Sequence, residues 1–270
     1  MRMHHTILVI LASMIRDMCD VEILDAYVNK WSLAKLKKEI KKRKPDIVGI
    51  TVLMDQMSKT GHDVAKITKE IGKEIKVLMG GVYVTMNPEH AISDDNIDYI
   101  CIGEGEYVIQ ELIRYFKGET KELPEEGIAY KENGEIINKG RYPFIKDLDA
   151  IPDPSYDLIN FSQYSQKVTR GNSVDSPRTF PYARLYTSRG CPFYCTFCAS
   201  HTIHGRKLRL HSLEHIFAEI DKLVKDYNIN LLLIEDDIFN FNRKRTIEFC
   251  KGLIDRWGNR FEIEFPNGIY

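Results

Sequence analysis

The chain has 270 residues, of which 38 are basic and 39 acidic, giving a net charge of −1, and 43% are hydrophobic against 29% charged. That length supports one large domain or two ordinary ones with cores that need no disulfide staples, and the composition excludes a chain disordered throughout. The charge balance offers no general attraction to nucleic acid or to a membrane surface. The longest apolar run, residues 7–12, is far short of the ~20 residues that span a bilayer, so a cytoplasmic protein is expected.

In chain order, Ile7, Leu11, Met14, Ile15 and Met18 fit one helix face. A strand at 7–11 would leave about nine residues before Val21, too few for a parallel crossover. Residues 21–24 read as a short strand. Ser32 then caps a helix carrying Leu33, Leu36 and Ile40, which Pro45 ends. Residues 35–44 hold seven Lys or Arg and one Glu, read as a solvated outer face and not as a nucleic-acid site. Residues 47–52 form a near-continuous apolar strand, of the kind a buried parallel sheet requires. A helix follows over 63–71, a strand over 75–79 running into Gly80-Gly81, and a helix opened by Pro88. The strand at 98–102 ends in Gly103-Glu104-Gly105-Glu106, and a helix runs from there to about Phe116. Strand and helix alternate, which predicts a doubly wound parallel sheet with ligands beyond the carboxyl ends of its strands. The glycine turns fall at those ends, either as tight turns or as places where backbone approaches a ligand closely.

The alternation stops over 123–183. A hairpin with an Asn133-Gly134 turn is expected there, followed by an irregular linker containing Pro143, Pro152, Pro154, Pro177 and Pro181. The expected division is 1–122, a linker at 123–183, and 184–270. In the last part a strand at 185–188 empties into a cysteine-rich loop. A helix then runs from about His211 to Tyr227. A strand at 231–234 ends in Glu235-Asp236-Asp237, and a third strand at 261–265 ends in Pro266-Asn267-Gly268. Arg184, Arg206 and Arg209 flank the loop and are read as solvent-facing.

Six cysteines occur, three of them packed into Cys191, Cys195 and Cys198 with the spacing C-x3-C-x2-C. Cys19, Cys101 and Cys250 sit in apolar contexts and read as inert core residues. Three thiolates on one tight loop can hold three corners of a [4Fe-4S] cube and leave the fourth iron open. A zinc site completed by His201 or His204 is the alternative. A carboxylate at the end of strand 231–234 is well placed to hold an ammonium group, or else to start the next helix, for which Asn242 could also be the cap.

The segment Cys191-Pro192-Phe193-Tyr194-Cys195-Thr196-Phe197-Cys198 resembles the signature of the radical S-adenosylmethionine superfamily, down to the aromatic Phe197 before the third cysteine. The resemblance implies that these cysteines ligate a [4Fe-4S] cluster and that S-adenosylmethionine chelates its open iron. One-electron cleavage would then give a 5′-deoxyadenosyl radical. It further implies contacts to S-adenosylmethionine from Phe197, Glu235, Asp236, Asp237, Asn267 and Gly268. The turns Gly80-Gly81 with Thr85, and Gly103-Glu104-Gly105-Glu106, are similar to those of the cobalamin-binding domain that precedes many radical S-adenosylmethionine domains. They are expected to hold the nucleotide tail and corrin, with Val52, Leu53 and Met54 near the lower face. Tyr83 stands where that family often has His. The D-x-H-x-x-G pattern that supplies a histidine to cobalt in other cobalamin proteins is absent.

The implied fold is α/β: a flavodoxin-like, doubly wound cobalamin-binding domain followed by a partial radical S-adenosylmethionine βα barrel. About six βα units make such a barrel in the family, and three strands are read here. The expectation is therefore a member lacking its first strand and the later half of its barrel. The implied function is C-methylation or a related radical step such as tetrapyrrole cyclisation, with a reducing electron donor and an unidentified substrate. The alternative is a non-catalytic cobalamin- or zinc-binding fragment.

Overall fold

The computed structural model describes residues 6–168 and 178–270. Pro177 of the expected linker lies outside the described residues. The chain divides into two compact units, Met14–Ile145, and Met1–Ser13 with Lys146–Tyr270.

Helix α1 (Thr6–Ile15) carries the N-terminal apolar face. In the unit Met14–Ile145, helix α2 (Leu33–Arg43) begins where the Ser32 hydroxyl accepts a 3.2 Å bond from the Lys35 amide. It buries Leu36 and Ile40. Its lysines and arginine face outward and pair with Glu39, Glu70 and Glu22. Strand β1 (Ile47–Thr51), helix α3 (Ser58–Ile71), strand β2 (Lys76–Gly80), helices α4 (Val82–Met86) and α5 (Pro88–Ser93), strand β3 (Tyr99–Cys101) and helix α6 (Glu106–Phe116) follow. Strands β4 (Ile128–Glu132) and β5 (Glu135–Asn138) complete a sheet of order β1-β2-β3-β4-β5. β1, β2 and β3 are parallel, and the β4–β5 hairpin joins antiparallel. Its Asn133 and Gly134 both have positive φ, 52° and 84°, as a two-residue hairpin turn requires.

Strand periodicity builds two apolar faces from one sheet. Val77, Met79, Ile100 and Ile102 pack with Ala65 of α3, Val84 of α4 and Ala91 of α5. Leu78 and Cys101 project the other way, onto Val108 and Leu112 of α6. Helices therefore cover both faces, and the doubly wound architecture follows. Two expectations are corrected. Residues 21–24 form no strand, so β1 is a sheet edge and only half-buried along its length. The hairpin expected in a separate linker belongs to this sheet.

In the other unit, strands β6 (Ser165–Val168) and β7 (Arg178–Leu185) pair antiparallel. Strand β8 (Ser188–Arg189), helix α7 (Ser200–His204), strand β9 (Arg209–Leu210), helix α8 (Leu213–Tyr227), strand β10 (Leu231–Ile234), helix α9 (Arg243–Trp257) and strand β11 (Glu262–Glu264) complete it. The sheet order is β11-β10-β7-β6, with β7, β10 and β11 parallel. All four residues of β10 are buried, which matches its unbroken apolar run. Ser212 and Asn242 cap α8 and α9 by accepting 3.1 Å bonds from the His215 and Arg245 amides. Phe217 of α8 stacks on Phe249 of α9 at 5.9 Å. The strand expected at 185–188 is split, since β7 ends at Leu185 and β8 starts at Ser188.

Of the scattered cysteines, Cys101 is core, its thiol pushed up to about 12 by burial, and Cys19 is half-buried. Cys250 is exposed on α9, which corrects its reading as a core residue. Among the described residues no helix is long and apolar enough to cross a membrane.

Candidate functional site

The cysteine loop leaves β8 through Gly190, whose φ is +105°. Its ends are tied down. The Cys191 amide donates to the Gly205 carbonyl at 3.0 Å, and Arg206 donates to the Phe193 carbonyl at 2.8 Å. The Arg206 guanidinium also lies 3.8 Å from the centre of the Tyr194 ring, a cation–π contact. All three thiols are free, with Cys195 exposed and Cys191 and Cys198 half-buried. The Cys198 sulfur receives the Ser200 amide at 3.5 Å and contacts the Ser200 hydroxyl at 3.3 Å. Phe197 is 92% exposed, an apolar ring held in water beside the thiols. Tetrahedral zinc, with Zn–S bonds of about 2.3 Å, draws thiolates to about 3.8 Å of one another. Among the described residues, only Asp149, His211 and His215 group three ligand atoms within 4.8 Å, so the loop does not gather its thiols that closely. Three free thiols on one loop are the donor set that holds three corners of a [4Fe-4S] cube.

The acids after β10 converge on the base of this loop. Glu235 pairs with Arg184 of β7. Burial raises the Glu235 carboxyl, and Arg184 opposes the rise. Asp236 is 2% exposed and accepts from the Thr187 amide at 2.6 Å, the Thr187 hydroxyl at 2.5 Å, the Ser188 amide at 3.1 Å and the Ser188 hydroxyl at 2.7 Å. It thereby fastens the β7–β8 junction to β10. Asp237 contacts His204 Nδ1 at 2.8 Å and receives bonds from Ser200 and the Gly190 amide. Burial works to raise Asp237, but these bonds outweigh it and hold it low. Asn267 donates its side-chain amide to the Glu235 carbonyl at 2.9 Å, while Gly268 has φ +93° and open space at its Cα. The three acids, Asn267 and the cysteine loop thus meet at the carboxyl end of β7, β10 and β11. Asp236, expected to contact S-adenosylmethionine, is a buried clamp here, with all four of its bonds to the chain itself.

At the carboxyl end of the other sheet, Gly81 has φ +103°, and a Cβ there would stand 2.5 Å from the Val52 carbonyl oxygen. Only glycine lets the β2–α4 turn nest against β1 in this way. Thr85 joins the two glycine turns, its hydroxyl accepting from the Gly103 amide at 3.0 Å. Gly80 stands against Cys101, and Gly105 is the residue before α6. Val52, Glu104 and Glu106 are buried, at 1%, 6% and 5% exposure. Glu104 accepts from the Ile145 amide at 2.7 Å. These three side chains, expected at the cobalamin surface, turn inward here. Leu53 is half-buried and Met54 is exposed. Met86 at the end of α4 is exposed as well, so this edge presents apolar side chains that suit a large, flat, largely apolar ring system. Tyr83 hydrogen-bonds two histidines, His62 Nε2 at 3.0 Å and His90 Nδ1 at 2.5 Å, and His62 Nδ1 meets Asp94 at 2.7 Å.

Several residues escaped the sequence reading. Arg184 and Arg209 are buried, not solvent-facing. Nε and Nη2 of Arg184 are buried without a hydrogen-bond partner. Ser200, which joins Cys198 to Asp237, lies on a helix too short to show periodicity.

Residues 1–113 match a B12-binding domain. The chain is 38% identical over 239 residues to an uncharacterised methyltransferase of Pyrococcus horikoshii, covering 88% of this chain and 50% of that one. It is 30% identical over 251 residues to the anaerobic magnesium-protoporphyrin IX monomethyl ester cyclase of Rubrivivax gelatinosus, covering 88% and 43%. The chain spans half or less of the length of these relatives. Among solved structures, the cobalamin-dependent S-adenosylmethionine radical enzyme OxsB with aqua-cobalamin bound superimposes with a TM-score of 0.75 at 25% identity, covering 98% of this chain and 36% of that one. The radical S-adenosylmethionine methyltransferase TsrM of Kitasatospora setae shares the fold, with a TM-score of 0.73 at 17% identity over 97% of this chain and 52% of that one. The N-terminal part of the chain thus matches a B12-binding domain, and the chain as a whole is similar in sequence and fold to cobalamin-dependent radical S-adenosylmethionine enzymes.

Proposed function

We propose that this protein is a cobalamin-dependent radical S-adenosylmethionine enzyme whose reaction is methyl transfer to an unactivated carbon. The observation that carries the reading is the loop of three free thiols, tied through Ser200 and Asp237 to the carboxyl end of β10. Cys191, Cys195 and Cys198 are the ligands of a [4Fe-4S] cluster. Phe197, Glu235, Asp237, Asn267 and Gly268 form the S-adenosylmethionine site, with Asp236 as the clamp beneath it. Leu53, Met54, Gly80, Gly81, Thr85, Gly103 and Gly105 form the cobalamin surface, backed by Val52, Glu104 and Glu106. Bound together, these cofactors supply one-electron cleavage of a sulfonium and a transferable methyl group.

The chain's own contribution is placement. Asp236 fixes the β7–β8 junction from which the loop emerges, and Asp237 anchors the loop's base. Glu235, beside Arg184, offers a carboxylate to an ammonium group. The exposed rings of Phe197 and Tyr194 cover the thiols on the solvent side once a ligand stacks against them. No D-x-H-x-x-G pattern is present, so a bound cobalamin would lack a histidine of that kind from this chain. A reducing electron donor completes the partner set, and the relatives that are methyltransferases favour methylation over cyclisation.

Anaerobic reconstitution with iron and sulfide tests the reading. About four irons per chain are expected, with an EPR signal of the reduced cluster that changes on adding S-adenosylmethionine and is lost in Cys198→Ala. Zinc in place of iron would remove the enzyme reading. A cluster indifferent to S-adenosylmethionine would remove the assignment of its site.

A further inference from the structure

Away from the cysteine loop, Asp149, His211 and His215 bring three ligand atoms within 4.8 Å of one another. Asp149 Oδ1 lies 2.9 Å from His211 Nδ1 and 3.9 Å from His215 Nδ1. These two values straddle the ~3.3 Å between ligands of a tetrahedral zinc ion with bonds of about 2.0–2.1 Å. The imidazoles are stacked, with ring centres 4.6 Å apart and planes 16° from parallel. Both rings turn Nδ1 toward the same Asp149 oxygen, so the three ligand atoms face a common point.

The backbone holds this arrangement in place before any ion arrives. The His211 amide donates to the Thr187 carbonyl at 3.0 Å, beside the Asp236 clamp. Ser212 caps α8 through the His215 amide, while its own amide donates to both Asp149 oxygens at 3.1 Å. A carboxylate oriented by a backbone amide is the outer-shell support that metal ligands commonly show. His211 and His215 also line a cavity of about 20 Å³, which holds one water-sized particle. Three protein ligands leave a fourth position for such a water. Arg189 and Glu219 line the same cavity, and Glu219 balances the Arg189 charge once it ionises, above about pH 7.

The geometry points to a zinc site at Asp149, His211 and His215, separate from the cysteine loop, that pins the segment around residue 149 to the N-terminal end of α8. Imidazole and carboxylate ligands in this number suit zinc among divalent ions.

The test is zinc titration of the full chain against a chromophoric chelator, with Cys191, Cys195 and Cys198 changed to Ser to remove competing thiolates. One zinc per chain is expected. Added His215→Ala or Asp149→Asn should weaken it at least tenfold, while His201→Ala should not. With the three cysteines changed to Ser and Asp149, His211 and His215 intact, one equivalent of zinc should protect His211 and His215 from diethyl pyrocarbonate, read by mass spectrometry. This second measurement decides the matter if the His215 variant fails to fold. No bound zinc, an affinity indifferent to His215 and Asp149, or no protection would each overturn the proposal.

Discussion

Single buried carboxyls govern much of how this chain responds to its surroundings. Asp236 satisfies four donors at once, so Asp236→Ala leaves those donors buried and unmet. A loss of about 2–4 kcal/mol in urea unfolding is expected. Glu219 is the second case. It is buried and accepts the Tyr156 hydroxyl at 2.6 Å, and burial lifts its carboxyl from 4.5 to about 7 against the lowering effect of that bond. Between those values the folded chain keeps a proton that the unfolded chain has lost. Stability should therefore fall as pH rises from 4.5 to about 7, and be level above. The displacement corresponds to roughly 3 kcal/mol. Glu219→Gln should remove that part of the slope, giving a urea midpoint at pH 8 that rises relative to the parent. An unchanged difference between pH 5 and pH 8 would assign the slope to another group.

At the scale of elements, local signals succeeded where several residues repeat a pattern. The caps Ser32, Ser212 and Asn242, the Asn133-Gly134 hairpin and the apolar β10 run were all legible, because each depends on neighbours in sequence. The short pieces were not: β8 and β9 have two residues each, and α4 and α7 have five. Residues 21–24 carry strand-forming side chains yet pair with nothing in the sheet, since pairing is decided by the partner and not by propensity. Two predictions belong here. Ser212→Ala should cost about 1 kcal/mol of stability through loss of the α8 cap. Gly81→Ala should cost more, about 2 kcal/mol, because a side chain there combines positive φ with a clash against β1.

For the whole molecule, the proposed cluster ligands and the proposed cobalamin surface belong to different units and should be separable by mutation. Met54→Lys places a charge on the exposed apolar edge. It should weaken cobalamin retention at least tenfold, about 1.4 kcal/mol, and leave the iron count unchanged. Cys198→Ala should do the reverse. Absorption spectra and iron analysis of the same preparations read both, and joint loss in either variant would contradict separate sites.

The spacing of the three cysteines, the glycine turns at the strand ends and the alternation that makes a doubly wound sheet are all legible in the chain alone. These are local properties, written within a few residues of one another. Only the tertiary structure decided which carboxylates face inward. Asp236 clamps Thr187 from 49 residues away, and Glu104 reaches Ile145 from 41 residues away. The Arg184–Glu235 pair and the Asp149–His211 contact span 51 and 62 residues. No periodicity records such pairs, because they form only when separate strands and helices arrive at the same end of a sheet.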